Sequence, residues 1–148
     1  MKGKPVRHDF GSGEVAYKWV NDDGSAGGIV ARSARIHDSA IIREGATIGK
    51  GAYIGPRVFI GEGARIDAGA FISDEATIGA RTVIGDGAVI TRWASIGEGA
   101  RIGDGAIIGD QVVIGDGARI GAYTRIKVGA AGQCDQDKEG EMKVEVEE

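Results

Sequence analysis

From residue 30 to residue 126 an aliphatic side chain recurs at every sixth position: Val30, Ile36, Ile42, Ile48, Ile54, Ile60, Ile66, Ile72, Ile78, Ile84, Ile90, Ile96, Ile102, Ile108, Ile114, Ile120 and Ile126. These are 17 consecutive hexads without one insertion. Two places before each stands a smaller residue, such as Ala34, Ala46, Val58, Ala70, Thr82 or Thr124. Residues two apart on a strand share a face, so both series point inward together. A period of six fits neither an amphipathic helix nor an array of hairpins. It fits short strands joined by turns, coiling so that each strand stacks on its equivalent in the next coil.

The turns carry the glycines, in runs such as Gly49-Lys50-Gly51, Gly61-Glu62-Gly63 and Gly85-Asp86-Gly87, where positive φ or close backbone approach is expected. The motif over residues 29–130 resembles the hexapeptide-repeat family, in which three hexads make one 18-residue triangular coil of a left-handed parallel β-helix. The resemblance implies an all-β fold of about six coils, a rod roughly 27 Å long at the usual strand spacing. Its implication for function is broader, because the family contains acyltransferases, carbonic anhydrases and non-catalytic relatives. Residues 1–28 are expected to form an N-terminal cap in which Tyr17 and Trp19 cover the first coil. Residues 131–148 form a separate acidic tail, whose "MKVEVEE" suits an edge strand or no regular structure.

With an 18-residue coil, residues 18 apart stack, and the outward positions sort into three faces. One carries Arg35, Tyr53, Phe71, Val89, Ile107 and Arg125; a second carries Ile41, Phe59, Thr77, Ser95 and Val113; the third carries Thr47, Arg65, Val83, Arg101 and Arg119. The first two are apolar and the third is basic. Apolar stripes on a small chain mark an interface, and the resemblance implies parallel trimers about a three-fold axis. A homotrimer is therefore expected, with Tyr53, Phe59, Phe71, Val89, Ile107 and Val113 in its contacts. Rows of threonine, as on an ice-binding face, are missing.

Two corners of the triangle are mostly minimal glycine turns. The third collects His37-Asp38-Ser39, Gly55-Pro56-Arg57, Ser73-Asp74-Glu75, Thr91-Arg92-Trp93 and Gly109-Asp110-Gln111 between the two apolar faces. In a trimer this edge would line clefts between subunits, a common place for ligands. Trp93 offers a stacking surface, Arg57 and Arg92 offer planar donors for phosphate or carboxylate, and Ser73, Thr91, Glu75 and Gln111 offer hydrogen bonds. That set suits a small anionic ligand such as a nucleotide. Arg57, Glu75 and Arg92 would serve equally as ion pairs across a subunit contact.

Composition narrows the chemistry. The 148-residue chain has a net charge of −4, and residues 134–148 hold a net −5, which leaves the body near neutral. No basic stripe with interleaved aromatics invites duplex nucleic acid, no apolar run is long enough to span a membrane, and the N-terminus lacks a secretory core. Cys134 is the only cysteine, which rules out an internal disulfide, and its place in a polar stretch fits an incidental thiol. A cytoplasmic location follows as the expectation.

The carbonic anhydrase branch needs three histidines around zinc. Only His8 and His37 are present, so neither a metal nor another cofactor is expected. The acyltransferase branch uses a histidine as general base with acyl-CoA along the groove between subunits. His37 is the candidate inside the repeat, with Asp38 or Asp74 to orient it. No loop interrupts the hexads to build an acceptor pocket. The sequence thus favours a non-catalytic homotrimer binding a small anion between subunits, with an acyl-CoA-dependent transferase using His37, or a purely structural scaffold, as alternatives.

Overall fold

A computed structural model describes residues 1–7 and 15–127, together with the backbone of three short strands at 135–136, 142–143 and 145–146. His8 and Cys134 lie outside the described residues, as does most of the acidic tail. The repeat forms a parallel β-helix of two-residue strands, each pairing one outward residue with one core isoleucine. Three sheets run the length of the molecule, and successive rungs are 18 residues apart, as in Tyr53↔Phe71↔Val89 and Phe59↔Thr77↔Ser95. Two faces carry six parallel rungs and the third carries five. The coil is thus closed five times and begun a sixth, slightly short of the six coils expected from the sequence.

The core is the inward column itself. Ile42 through Ile114 are essentially inaccessible at every hexad, and the alanines two positions earlier are equally buried. Full burial of an isoleucine contributes about 1.5–3 kcal/mol, which outweighs the weak pairing of strands only two residues long. The alanines keep the cross-section narrow where each strand bends into its turn. Thr82 takes one of these small positions and donates its hydroxyl to the Gly97 carbonyl at 2.8 Å, so its buried oxygen is satisfied. Ile36 in the first coil is only half-buried, because no earlier rung covers it.

The amino-terminal end is closed by β1 (Lys2–Val6), β2 (Ala16–Val20) and β3 (Ala26–Ala31), an antiparallel meander whose last strand begins the basic face. Trp19 is 2% exposed against the first core isoleucines, with Tyr17 packed beside it, which is the covering role the sequence suggested. Gly28 makes the junction possible: a Cβ there would lie 2.1 Å from the Ala46 carbonyl oxygen. Asn21 finishes the cap. Its side-chain amide donates to the Ile42 carbonyl (3.0 Å) and accepts the Ile42 N–H (2.9 Å), so it imitates one peptide of a missing strand. At the other end, Glu145–Val146 pairs antiparallel with Arg125–Lys127 and covers that sheet edge. Among the described residues no helix is long and apolar enough to cross a membrane.

Candidate functional site

The decorated corner is where the fold departs from its own rule. At the third turn position the other corners carry glycines with positive φ, Gly45, Gly63, Gly99 and Gly117 on one, with Arg81 as the exception, and Gly51, Gly69, Gly87 and Gly105 on the other, with Ser33 and Tyr123 as the exceptions. Between the apolar faces four successive rungs instead place Arg57, Glu75, Trp93 and Gln111 at φ of 57°, 60°, 60° and 63°. A side chain in this region costs roughly 1 kcal/mol or more relative to glycine. Four such residues in one column, two of them bulky, are a concentration of strain that packing alone does not require. The turns still close normally, since the Glu75, Trp93 and Gln111 N–H groups donate to the Pro56, Asp74 and Arg92 carbonyls one rung back.

The side chains along this edge are joined. Glu75 accepts the Arg57 Nε–H on Oε1 at 2.8 Å and the Trp93 indole N–H on Oε2, so one carboxylate clasps the rungs on either side of it. The Arg92 guanidinium stands 6.0 Å from the Trp93 ring centroid, and the ring is 50% exposed. The indole N–H, then the Arg57 hydrogen bond, then the Arg57 and Arg92 charges hold the Glu75 carboxyl below the usual glutamate range. The Arg57 and Glu75 pair thus lies within one chain and does not need a subunit contact.

The linkage has a definite sign. A carboxyl whose folded value is depressed contributes its stabilisation above the ordinary glutamate range and loses it as pH falls through the lowered value. Acid titration is therefore expected to release the Trp93 indole below the pH at which a free glutamate protonates. Trp93 emission, taken as wild type minus Trp93→Phe, should change in that acid window, and Glu75→Gln should remove the transition. Identical titrations in the two proteins would disprove the clasp.

His37 lies at the amino-terminal end of the same edge. Its Nδ1 accepts the Ser39 backbone N–H at 3.1 Å and lies 2.8 Å from the Ser39 hydroxyl, which in turn accepts the Arg57 N–H at 3.0 Å. A hydrogen-bonded line thus runs from His37 through Ser39 and Arg57 to Glu75 and Trp93. The backbone donor assigns Nδ1 as the unprotonated nitrogen and leaves the proton of the neutral ring on Nε2. Ser39 takes the place expected for Asp38 or Asp74. Thr91 spends its hydroxyl on the Ile108 carbonyl at 2.8 Å, and Ser73 is half-buried in its turn, so these two add least to an exposed surface. Gln111 is exposed one rung beyond Trp93.

On either side of this edge lie the apolar faces. Tyr53 and Phe71 stack at 4.7 Å with planes 13° apart, Phe71 is 41% exposed, and Val113 is 49% exposed on the second face. Arg43 covers the Phe59 ring at 5.4 Å. Among the described residues no group of three or more His, Cys, Asp or Glu is arranged to hold a metal.

The bacterial transferase hexapeptide (six repeats) family model matches residues 57–92 and 94–127. The matched segments, the hexapeptide repeat and the parallel β-helical fold are those of the hexapeptide-repeat superfamily of left-handed parallel β-helices, which this chain resembles. Among solved structures it is similar to the acetyltransferase domain of PglB from Neisseria gonorrhoeae in complex with acetyl coenzyme A, at 25% identity and a TM-score of 0.52, over 66% of this chain and 52% of that one. It is also similar to a GDP-perosamine N-acetyltransferase from Caulobacter crescentus in complex with CoA and GDP-perosamine (23% identity, TM-score 0.47, 74% and 54% covered). A third is a hexapeptide transferase family protein from Anaplasma phagocytophilum (26% identity, TM-score 0.45, 70% and 68% covered). The chain spans about half the length of the first two. No curated protein matches it in sequence.

The likeness to the PglB domain corrects the functional expectation. The sequence favoured a non-catalytic binder of a small anion, and the PglB domain, which carries acetyl coenzyme A on the same fold, speaks instead for the acyltransferase alternative. The error has a physical source. An uninterrupted repeat with one histidine was read as leaving no room for an acceptor, although a cleft between subunits needs no inserted loop.

Proposed function

We propose that this chain forms the β-helix of an acyl-CoA-dependent transferase, working as a cytoplasmic homotrimer with acyl-CoA laid along the edge from His37 to Gln111. The observation that carries the reading is the likeness to the PglB acetyltransferase domain with acetyl coenzyme A bound. The strained column supports it, because strain of this kind collects at ligand sites. Trp93 stacks on the adenine, and Arg57 and Arg92 face the phosphates. Glu75 does not meet the anion; it holds the indole and the guanidinium in place. The apolar faces that flank the edge pack against neighbouring subunits, so each cleft is walled by two chains.

His37 acts on the acceptor. Its imidazole takes the proton of an amine or hydroxyl as that group attacks the thioester carbonyl carbon. The tetrahedral intermediate collapses with cleavage of the C–S bond, and the departing CoA thiolate recovers the proton. Because Nδ1 is the unprotonated nitrogen, the acceptor must either displace Ser39 from it or pass its proton through the Ser39 hydroxyl.

Acetyl-CoA binding tests the assignment of the edge. Wild-type protein is expected to show saturable thermal stabilisation by acetyl-CoA. Trp93→Gly should weaken the affinity roughly tenfold or more, the scale of one lost base stack. Glycine suits the left-handed backbone at 93, so the fold is retained. Equal stabilisation of the two proteins would move the ligand off this edge.

A further inference from the structure

The basic face, away from both apolar faces, holds a second feature that acyl transfer along the edge does not use. Its outward column includes Arg65, Val83, Arg101 and Arg119 in register on successive rungs. Arg65 is neutralised within its own strand and turn, Nε to Asp67 Oδ1 at 2.8 Å, through the triplet Arg65-Ile66-Asp67. The equivalent triplets further along are Arg101-Ile102-Gly103 and Arg119-Ile120-Gly121. The carboxylate is replaced by glycine in both, and among the described residues neither Arg101 nor Arg119 has an ion-pair partner.

Both arginines are exposed, and they oppose each other directly on neighbouring rungs, about 4.8 Å apart at the usual strand spacing. Like charges placed directly opposite on adjacent strands repel. The two side chains border a shallow depression of about 410 Å³ with Ile102 and Ile120 in its lining. Its two acids are already engaged, Asp67 by Arg65 and Asp104 by the Asp86 backbone N–H at 2.9 Å. The hollow therefore presents two guanidinium groups against the single unpaired carboxylate of Asp104, whose charge a backbone N–H does not cancel, and keeps an excess of positive charge.

We propose that Arg101 and Arg119 form a binding site for a phosphate monoester or diphosphate group on the basic face, separate from the edge that contains His37 and Trp93. Planar guanidinium groups on adjacent rungs match the oxygens of such a group bidentately, and the bound anion offsets their mutual repulsion. Since the acyl donor's phosphates are assigned to Arg57 and Arg92 on the edge, the group here belongs to a nucleotide-bearing acceptor, and this assignment rests on the transferase reading.

Inorganic pyrophosphate is the first probe, titrated calorimetrically into the whole protein at low ionic strength. Binding is expected in wild type, weakening with added salt. The Arg101→Gln/Arg119→Gln variant should bind at least tenfold more weakly, whereas Arg35→Gln, which removes an exposed charge from a different face, should bind as wild type does. The substituted side chains are solvent-exposed, so unchanged melting of the variants is expected and confirms that folding is not the cause. Competition by uridine diphosphate is expected, and competition by CoA alone would overturn the separation of this site from the donor edge. The proposal is overturned if wild type does not bind pyrophosphate, if Arg35→Gln weakens binding as much as the double variant, or if uridine diphosphate does not compete. Because the Trp93→Gly experiment reports on the other edge, either result stands independently of the other.

Discussion

Replacing His37 with alanine is expected to lower the rate of acyl transfer by about 10²–10⁴, the usual contribution of a positioned general base, while acetyl-CoA still stabilises the protein. The separation follows from where the residue stands. His37 is at the amino-terminal end of the edge, and the Ser39 and Arg57 links lie between it and the Glu75 and Trp93 clasp. Its removal takes away the proton acceptor without touching the stacking surface. Ser39→Ala makes a useful companion. If the proton passes through the Ser39 hydroxyl, this variant loses much of the rate as well; if the acceptor reaches Nδ1 directly, it retains most of it. Acyl transfer undiminished in His37→Ala would remove the histidine from the mechanism.

The second large effect concerns assembly. Phe71→Glu is expected to convert the protein from a species of about three times the 15.3 kDa chain mass to the single chain in light scattering. Phe71 is 41% exposed in the middle of an apolar face, stacked on Tyr53 and in register with Val89. Closed three-fold symmetry would bury three introduced carboxylates at once, and an unpaired buried charge costs several kcal/mol. The intramolecular core lies on the opposite side of the same strands, so the β-helix itself should persist. Acetyl-CoA binding should fall with the trimer, because each cleft then loses one wall. A wild-type protein that runs at the mass of one chain would refute the assembly.

The architecture was legible because it rests on positions that repeat. The isoleucine column, the alanines at the corners and the 18-residue stacking of Tyr53 on Phe71 are all consequences of one period, and the structure reproduces that register. Trp19 was legible as a cap for a simpler reason: a large apolar side chain just before an open-ended core has somewhere obvious to go. Asn21 was not, since nothing in "VNDDG" distinguishes the asparagine that pairs with Ile42 from the acids that only turn the chain.

The edge was legible as a place and not as a network. The non-glycine residues at the third turn position identify the corner, and the contrast with glycine elsewhere is visible in the sequence. That Glu75 accepts from both Arg57 and Trp93 depends on side-chain reach across two rungs, which spacing alone does not specify. The partner of His37 was missed in the same way. A turn brings Ser39 back onto Nδ1, so the nitrogen accepts from the N–H and faces the hydroxyl of a residue two positions on, and the adjacent acid, which has no proton to donate, is not its partner. The contrast between Arg65-Ile66-Asp67 and the two triplets ending in glycine was present in the letters from the start. It acquired meaning only once the hollow beside Arg101 and Arg119 was visible.

The measurement that bears most directly on the account is thiol release from acetyl-CoA by the wild-type protein, followed with a panel of amine and hydroxyl acceptors that includes amino sugars and their nucleotide-linked forms. The account predicts release that depends on the acceptor, with one mole of acylated acceptor formed per mole of thiol. Release at the rate of spontaneous hydrolysis with every acceptor, by a protein that is trimeric and binds acetyl-CoA, would contradict it.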